Sequence, residues 1–268
     1  TQMKATGEVM GIGSTLEECI LKSVRSLEIG ANHLYLAKFN DLSNEELLEY
    51  VVEFKSDNIF AVAEILRRGI SIEKIYEITK ITPLFLECFK RIVEMESILA
   101  NKKLDVQALK AAKTLGFADE YIAKLWNTTA QAIRMLRKEN NIVPVFRMVD
   151  TLKSGAYVPY FYSSYIGENA SIKTDKNKLV VLGAGPIRIG QGVEFDYSTV
   201  HAVQTIKKGG CEAIIINNNP ETVSTDYTTA DKLYFEPLTV EDVMNIIEFE
   251  NPEGVIASLG GQTAINLA

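Results

Sequence analysis

The stretch from Leu179 to Gly210, LVVLGAGPIRIGQGVEFDYSTVHAVQTIKKGG, decides the fold class of this chain. It begins with an apolar run typical of a buried strand, continues through a glycine-rich turn, and ends with apolar residues at helical spacing. A strand, a tight turn and a helix in that order predict the first unit of an α/β domain built on a parallel sheet.

The same alternation extends over residues 178–268. Strand-like apolar runs follow at EAIIIN (212–217), KLYFEP (232–237) and GVIASLG (254–260), with helical patterns between them. Four short apolar strands separated by helices predict a Rossmann-like parallel α/β domain.

Residues 14–150 predict an all-α domain. Apolar residues recur three and four positions apart, and we expect about seven or eight short helices and no strand. The helix signals are two capping boxes, one proline start and two glycine stops, at Ser14 with Glu17, Ser43 with Glu46, Thr82 with Pro83, Gly69 and Gly116.

Residues 151–177 differ from both neighbouring segments. Pro, Gly and aromatic residues show no sustained period there, and the last part, GENASIKTDKNK, is polar. We expect a linker that packs partly through its tyrosines. The chain also starts without Met and ends where a helix has just begun, so we expect a piece of a longer protein.

The composition indicates a soluble globular protein. With 268 residues, 47% of them apolar, the chain can form one large or two ordinary domains. A net charge of −7 and a pI near 5.1 argue against a protein held on nucleic acid by phosphate neutralisation. No apolar run reaches the roughly 18 residues of a spanning helix, and no signal pattern opens the chain. We expect a cytoplasmic protein with neither a membrane nor a nucleic acid as partner.

The cysteines and histidines form no metal-binding pattern. Cys19, Cys88 and Cys211 are widely separated, which is typical of reduced thiols in a cytoplasmic protein. His33 and His201 stand alone in the sequence. We therefore expect neither a disulfide framework nor a metal site.

Two phosphate-binding interpretations of the glycine-rich turn fail. A dinucleotide fingerprint requires a third glycine where Arg188 stands, and a ribose-binding acid where the second strand ends in asparagines at 217–219. A P-loop requires the lysine and hydroxyl residue that Gln191 and Gly192 replace.

The third interpretation is structural. Gly183, Gly185 and Gly190 would then allow a tight turn and close helix packing without binding a ligand. For the turn taken alone, this interpretation deserves at least equal weight.

Polar turns follow three of the predicted strands and should share the carboxyl edge of the sheet, where open α/β sheets bind ligands. The second and third of these turns are NNNPETVSTDY (217–227) and GGQT (260–263). The charged residues expected at this edge are Arg188, Glu194, Asp196 and Glu221. For Glu194 and Asp196, each taken alone, the alternative is favourable pairing with the dipole of the helix that they open.

Three motifs of this α/β segment together resemble one family. They are LGAGPIRIGQGVEFDYSTVHA, NNNPETVSTDYTTADKLYFEPLTVEDV and GVIASLGGQTAINLA. In this order they are similar to the start of the second synthetic half of the carbamoyl-phosphate synthase large subunit. In the earlier part, TQMKATGEVMGIG resembles the end of the family's first ATP-grasp domain, and GFADEYIAKLWNTT with IRMLRKENNIVPVFRMVDT resembles its helical oligomerisation domain. The resemblance covers nearly the whole chain.

The resemblance implies a domain order. Residues 1–13 would be the tail of the first ATP-grasp domain and residues 14–150 the oligomerisation domain. After the linker 151–177, residues 178–268 would form the Rossmann-like pre-ATP-grasp domain of the second half, truncated at its C-terminal end.

The resemblance also implies that the full-length protein is an ATP-dependent ligase. The family makes carbamoyl phosphate for arginine and pyrimidine biosynthesis from bicarbonate, two ATP and ammonia released by a small glutaminase subunit. ATP is bound with Mg²⁺ or Mn²⁺, and K⁺ is a further candidate ion. Because these sites belong to ATP-grasp domains outside residues 1–268, we expect no catalytic residue and no metal ligand here. The isolated segment is expected to be inactive and to contribute to a homo-oligomer.

The family passes carbamate between its two active sites through an internal tunnel, because carbamate decomposes rapidly in water. The positions that match the tunnel loops are Glu8, Arg188, Gly192, Glu194 and Glu221. Carboxylate walls repel an anion where water is excluded, so we expect neutral carbamic acid to travel.

A helix-turn-helix DNA-binding regulator with a small-ligand Rossmann domain is the alternative. Residues 119–142 can be interpreted as two helices around a polar turn, with Arg134, Arg137 and Lys138 on the second helix. A packed helical hairpin is favoured because the protein is acidic and several apolar residues should serve a core. These core candidates are Leu125, Ile133, Met135 and Leu136.

Overall fold

The computed structural model describes residues 9–53, 55–150, 155–186 and 192–268. The chain forms two compact units. The helical unit comprises residues 15–17 and 30–142, and the sheet unit comprises residues up to Ser14, 18–29 and 143–268. These units do not follow the predicted boundaries after residues 13 and 150, because most of the first helix and the residues from Val143 onward belong to the sheet unit.

The α-helices, in chain order, are α1 (Leu16–Ser26), α2 (Asn44–Val52), α3 (Asn58–Arg67), α4 (Ile72–Thr79), α5 (Pro83–Asn101), α6 (Val106–Thr114), α7 (Asp119–Trp126), α8 (Ala130–Glu139), α9 (Tyr197–Lys208), α10 (Val240–Glu250) and α11 (Gly261–Leu267). The strands are β1 (Val145–Met148), β2 (Tyr160–Ser164), β3 (Lys178–Leu182), β4 (Glu212–Asn217), β5 (Lys232–Phe235) and β6 (Gly254–Ile256). Among the described residues, helices α1 to α8 match the predicted number of seven or eight.

Most of the predicted helix signals of the helical unit are confirmed. The Ser43 side chain accepts the N–H of Glu46, and the Glu46 carboxylate accepts the N–H of Ser43 at 2.7 Å, which completes a capping box. Helix α5 starts at Pro83 after Thr82. Gly69 and Gly116 follow helix ends with φ of +79° and +86°.

The capping box predicted for Ser14 and Glu17 is wrong. The N–H of Ser14 donates to the carboxylate of Glu18 at 2.7 Å, and Glu17 instead forms an ion pair with Arg91 of α5. The carboxylate that accepts the N–H of Ser14 therefore belongs to Glu18, four positions later, since the Glu17 carboxylate is paired with Arg91.

The sheet unit has a six-stranded sheet in the order β1-β2-β5-β4-β3-β6. The four predicted strands are confirmed as β3 to β6, and all of their pairings are parallel. The β1 and β2 strands pair antiparallel to each other, and β2 joins the parallel part through β5. The sheet is therefore mixed, not purely parallel as predicted.

The predicted linker over 151–177 contains a strand, β2, that the sequence did not indicate. The prediction that the segment 14–150 has no strand is wrong, because β1 lies inside it. Phe146 of β1 and Phe161 of β2 are buried in the core. Such short strands show no local period, and the partner of β2 in the parallel part of the sheet, β5, lies far along the chain.

Residues alternate along the central strands between two apolar layers. Val180 and Leu182 of β3 pack with Ile246 of α10 and Ala264 of α11 on one face. On the other face, residues such as Val181 pack with Val203 and Ile206 of α9. The loops at the strand ends are held between these layers.

Candidate functional site

Three loops leave the sheet at its carboxyl edge, as predicted. Leu182 pairs with Ile216, and Val181 pairs with Ile256, so β3, β4 and β6 end at the same edge. The loops that follow these strands begin at Gly183, Asn218 and Ala257. This edge is where open α/β sheets bind ligands.

Gly183 and Gly185 have structural reasons to be glycine. A Cβ atom on Gly183 would collide with the side chain of Asn217. Gly185 has φ of +67°, and its N–H donates to Asn217 Oδ1 at 3.0 Å. The structural interpretation therefore holds for these two glycines, whereas Gly190 lies outside the described residues.

The asparagines that end β4 join the first two loops. Asn217 Oδ1 also accepts the N–H of Asn218 at 2.9 Å, and Asn219 Nδ2 donates to the carbonyl of Gly185 at 3.1 Å. An asparagine side chain can both donate and accept, which an acid at the same position could not do. Asn217 and Asn219, which stand where a dinucleotide-binding protein would have its ribose-binding acid, thus fix the glycine turn.

Asp196 caps the second loop. Its carboxylate accepts the N–H groups of Val223 and Ser224, each at 2.9 Å. These residues open a short 3₁₀ helix, Val223–Thr225, whereas the Asp196 side chain makes no capping bond to α9. Asp196 thus stands at the start of α9, where the dipole interpretation placed it, and its carboxylate also forms a bond across the loops that the sequence did not indicate.

Gly192, Glu194 and Glu221 lie around this capped loop. Gly192–Asp196 forms a π-helical turn ahead of α9, and the Glu194 side chain on it is exposed. Glu221 is also exposed, and its backbone N–H donates to Asn219 Oδ1 at 2.8 Å. The structure brings these residues to one edge of the sheet. Glu8 and Arg188 lie outside the described residues.

A cleft of about 490 Å³ opens at the same edge. It is lined by the loops that follow β3 and β6, by residues before and after α1, and by Phe195. Its lining residues are Val9, Leu27, Glu28, Ile29, Ala184, Pro186, Phe195, Gly260, Gly261, Gln262 and Thr263.

Glu28, which the sequence did not single out, lies in the wall of this cleft. The Thr263 hydroxyl donates to Glu28 Oε2 at 2.8 Å. Although the residue as a whole is exposed, partial burial of the carboxyl raises the pKa of Glu28, and the hydrogen bond from Thr263 opposes that shift. The local sequence indicates only the end of a helix at this point. In the structure, Glu28 lies two residues after the end of α1 and has φ of +55°.

Buried charges hold α1 against the sheet and thereby place Glu28. Lys22 Nζ donates to the carbonyl of Ser163 and to Glu236, both at 2.7 Å. Arg25 contacts Asp242 at 3.3 Å. Burial raises the pKa of Glu236, whereas the Lys22 ammonium acts in the opposite direction. Removing one partner of such a pair leaves an uncompensated buried charge.

A second charge cluster closes the amino edge of the sheet. Glu250 contacts Lys178 at 3.0 Å and Lys232 at 2.8 Å, and Lys232 also contacts Glu212 at 3.4 Å. Burial would raise the pKa of Glu250, but hydrogen bonds from Lys232, Tyr234 and Lys178 hold it below its ordinary value. The charges are balanced and enclosed, which is typical of a structural cluster.

In the helical unit, the hairpin of α7 and α8 contains a buried ion pair. Arg137 is only 1% exposed and donates to both carboxylate oxygens of Asp119, while Lys113 contacts Asp119 at 3.0 Å. This arginine, one of three cations on which the DNA-binding alternative depends, is therefore withdrawn from solvent. Ile133 is buried as expected, but Met135 is 53% exposed, so its predicted core role is wrong.

A second buried pair in the helical unit involves His33. Its Nε2 lies 2.8 Å from Glu96 Oε1, and its ring stacks on Tyr121 at 3.7 Å. Arg67 also donates to both oxygens of Glu96, at 2.6 and 2.9 Å. Burial would raise the pKa of Glu96, but Arg67 and His33 hold it below its ordinary value.

The described ranges contain neither a metal-binding cluster nor a helix that could span a membrane. No group of three or more His, Cys, Asp or Glu side chains within the described residues is placed to hold a metal ion. Likewise, no helix among them combines the length and apolarity needed to cross a membrane.

Comparison with protein-family models assigns both parts of the chain. Residues 175–268 match the model described as the carbamoyl phosphate synthase preATP-grasp domain. Residues 8–141 match the model described as the carbamoyl-phosphate synthetase large chain, oligomerisation domain. The second match alone spans half of the 268 residues.

Proposed function

Because the chain belongs to the carbamoyl-phosphate synthase large-chain family, we propose that the full-length protein is an ATP-dependent ligase that makes carbamoyl phosphate. Its substrates would be bicarbonate, two ATP and ammonia from a small glutaminase subunit, and its product would serve arginine or pyrimidine biosynthesis. The protein would act in the cytoplasm. The segment of residues 1–268 would be inactive alone.

Within that enzyme, the carboxyl-edge loops of the sheet unit would form part of the passage for carbamate. The observation that carries this proposal is the cleft of about 490 Å³, which is bounded by Val9, Pro186, Phe195 and the loop after β6. Phe195 follows Glu194, so the cleft lies beside one of the tunnel positions that the resemblance implies.

The residues of the passage would keep water away and hold a small planar molecule. Gly192 contributes no side chain and would leave space for the intermediate. Exposed carboxylates such as Glu194 and Glu221 repel an anion but accept N–H groups. Neutral carbamic acid is therefore the form that we propose to pass. Glu8 and Arg188 stay part of this proposal from the resemblance alone.

The helical unit would supply subunit association. Its family match is to an oligomerisation domain, and it exposes several large apolar side chains. These include Leu84, Phe85 and Leu104, which are 61%, 43% and 64% exposed. We do not extend the proposal to nucleic acid, because burial of Arg137 weakens the cationic surface that the alternative requires.

The described residues do not fit ATP with Mg²⁺ or Mn²⁺. They contain no suitable cluster of carboxylates, and the glycine turn has Gln191 and Gly192 where a P-loop has its lysine and hydroxyl residue. We propose that ATP, its metal ion and K⁺ bind to ATP-grasp domains, and no step here depends on them.

The substitution Gly192→Phe in the full-length enzyme tests the passage. The ring should fill the space beside the loops, so carbamoyl phosphate formation should fall at least about tenfold, a change that corresponds to about 1.4 kcal/mol. Bicarbonate-dependent ATP hydrolysis should be largely retained, because it occurs before transfer. Val193→Phe is the matched control, since Val193 is 81% exposed and a ring there reaches solvent. Equal loss of both activities would contradict the proposal.

A further inference from the structure

The carboxyl group of Glu236 is enclosed at the contact between α1 and the sheet. Glu236 directly follows β5, and its side chain has no exposed surface. Its Oε1 atom accepts from Lys22 Nζ at 2.7 Å and from the backbone N–H of Ser163. Its Oε2 atom is also buried but has no hydrogen-bond partner among the described residues. One oxygen of this carboxyl group is therefore satisfied by the protein and the other is not.

Lys22, the cation that contacts Glu236, is shared with other acceptors. Its ammonium group also donates to the carbonyl of Ser163 at 2.7 Å and lies 3.8 Å from the carboxylate of Glu18, one turn earlier in α1. Lys22 would therefore keep two partners if Glu236 were neutral. A proton on Glu236 leaves no uncompensated lysine at this contact.

The surroundings of Glu236 disfavour a charged carboxylate. Burial is the main cause and raises the pKa of Glu236 to about 7, against the attraction of Lys22. The buried carboxylate of Asp242, which Arg25 contacts at 3.3 Å, raises this pKa further. The charged side chains around the contact, on α1, α10 and β1, are Glu18, Lys22, Arg25, Glu241, Asp242 and Arg147.

We infer that a proton on Glu236 Oε2 controls how firmly α1 is docked on the sheet. The proton comes from water and forms an O–H bond at the oxygen that lacks a partner, while Oε1 still accepts from Lys22 and Ser163. When the proton returns to water, a second negative charge faces Asp242 where solvent is excluded. Docking is weaker in that state because the charge must remain buried.

The dependence of docking on pH has a definite sign. When α1 opens, Glu236 meets water and titrates near its ordinary value of about 4.3. When α1 is docked, the pKa of Glu236 is about 7, so the docked state holds the proton between these two values. Docking therefore weakens as the pH rises from about 4.3 to about 7 and changes little above that range.

The docking of α1 also places one wall of the cleft. Helix α1 ends at Ser26, and the next three residues, Leu27, Glu28 and Ile29, line the cleft of about 490 Å³. A proton on Glu236 therefore stabilises this wall, and its loss loosens the wall. The fold thus couples the cleft to pH through a group that lies outside the lining of the cleft.

Hydrogen exchange of the α1 amides in the 268-residue protein tests the inference. After correction for intrinsic rates, protection at Lys22 and Val24 should fall at least about tenfold from about pH 5 to about pH 8 in the wild-type protein. Glu236→Gln is always neutral and keeps an oxygen for Lys22, so its protection should change much less. Glu253→Gln removes an exposed carboxylate at the amino edge of the sheet and should behave like wild type.

An equal fall of protection in wild type and Glu236→Gln would overturn the inference, as would an equal fall at Ile215 in the central strand β4, because the whole sheet unit would then respond. A second measurement needs no variant. The carboxyl ¹³C signal of Glu236 should titrate with a midpoint within about one pH unit of 7 in the folded protein. A midpoint near the ordinary value of about 4.3 would overturn the inference.

Discussion

Arg137 donates to both carboxylate oxygens of Asp119, with Nε 2.8 and 2.9 Å from them, in a nearly solvent-free part of the helical unit. This geometry uses the planar guanidinium as a fork, which a lysine could not reproduce. The pair joins α7 to α8 across the turn between them. The arginine that a DNA-binding interpretation needs on the surface thus stabilises the hairpin from inside.

We predict that Arg137→Met lowers the free energy of unfolding of the helical unit by about 3–5 kcal/mol, because the buried Asp119 carboxylate would lose the guanidinium that pairs with both of its oxygens. Thermal unfolding followed by circular dichroism measures the change. Lys110→Met, on the exposed face of α6, is the matched control and should shift stability by less than about 0.5 kcal/mol. Equal stability of both variants would contradict a structural role for the pair.

The lowered pKa of Glu96 predicts how the stability of the helical unit changes with pH. Because Arg67 and His33 hold the pKa of Glu96 below its ordinary value of about 4.3, its charge stabilises the fold above that pH. This stability is lost as the pH falls through the lowered pKa of the folded state. Glu96→Gln should therefore cost most near neutral pH, and the difference from wild type should shrink below about pH 4.

Urea unfolding at a series of pH values measures this difference. Glu87→Gln on the exposed side of α5 removes the same charge without an ion pair and should show no comparable pH dependence. A Glu96→Gln penalty that stays constant from pH 7 to about pH 3 would show that the charge of Glu96 is not its source.

The elements that the sequence predicted are those whose signal is local. Strands β3 to β6 are continuous apolar runs, and Ser43 with Glu46 is a complete capping box within four residues. By contrast, β2 is buried through Phe161, whose neighbour in the sheet is Tyr234 of β5. No window around residues 151–177 contains that partner.

The candidate site shows the same limit. The glycines at 183 and 185 and the three polar loops could be placed from the strand pattern alone. Glu28 could not, because its partner Thr263 lies 235 positions later and the local sequence indicates only the end of a helix. The bond from Asp196 to the next loop could not be predicted for the same reason, since the N–H groups that it accepts lie 27 and 28 positions later.

Asp196→Asn tests this bond between loops. An amide offers one acceptor oxygen in place of two, so one of the N–H groups of Val223 and Ser224 would lose its partner at a cost of about 1 kcal/mol. We expect faster hydrogen exchange at these two amides. Glu221→Gln, in the same loop but exposed, should leave their exchange unchanged. Uniform acceleration across the sheet would indicate global destabilisation instead.

Gly185 offers a prediction that separates backbone strain from crowding. Gly185→Ala and Gly210→Ala each place a side chain at a positive φ, +67° and +81°, which costs about 1–2 kcal/mol. A Cβ atom on Gly210 meets nothing within 4 Å, whereas one on Gly185 would stand 2.6 Å from Glu28 Oε1 and force the carboxyl to move. Both variants should therefore lose similar stability from strain, but Gly185→Ala should also lose the hydrogen bond from Thr263 to Glu28, so urea unfolding should show it to be the less stable of the two by about 1 kcal/mol. If the two alanine variants unfold at the same urea concentration, the carboxyl of Glu28 does not depend on the space that Gly185 leaves.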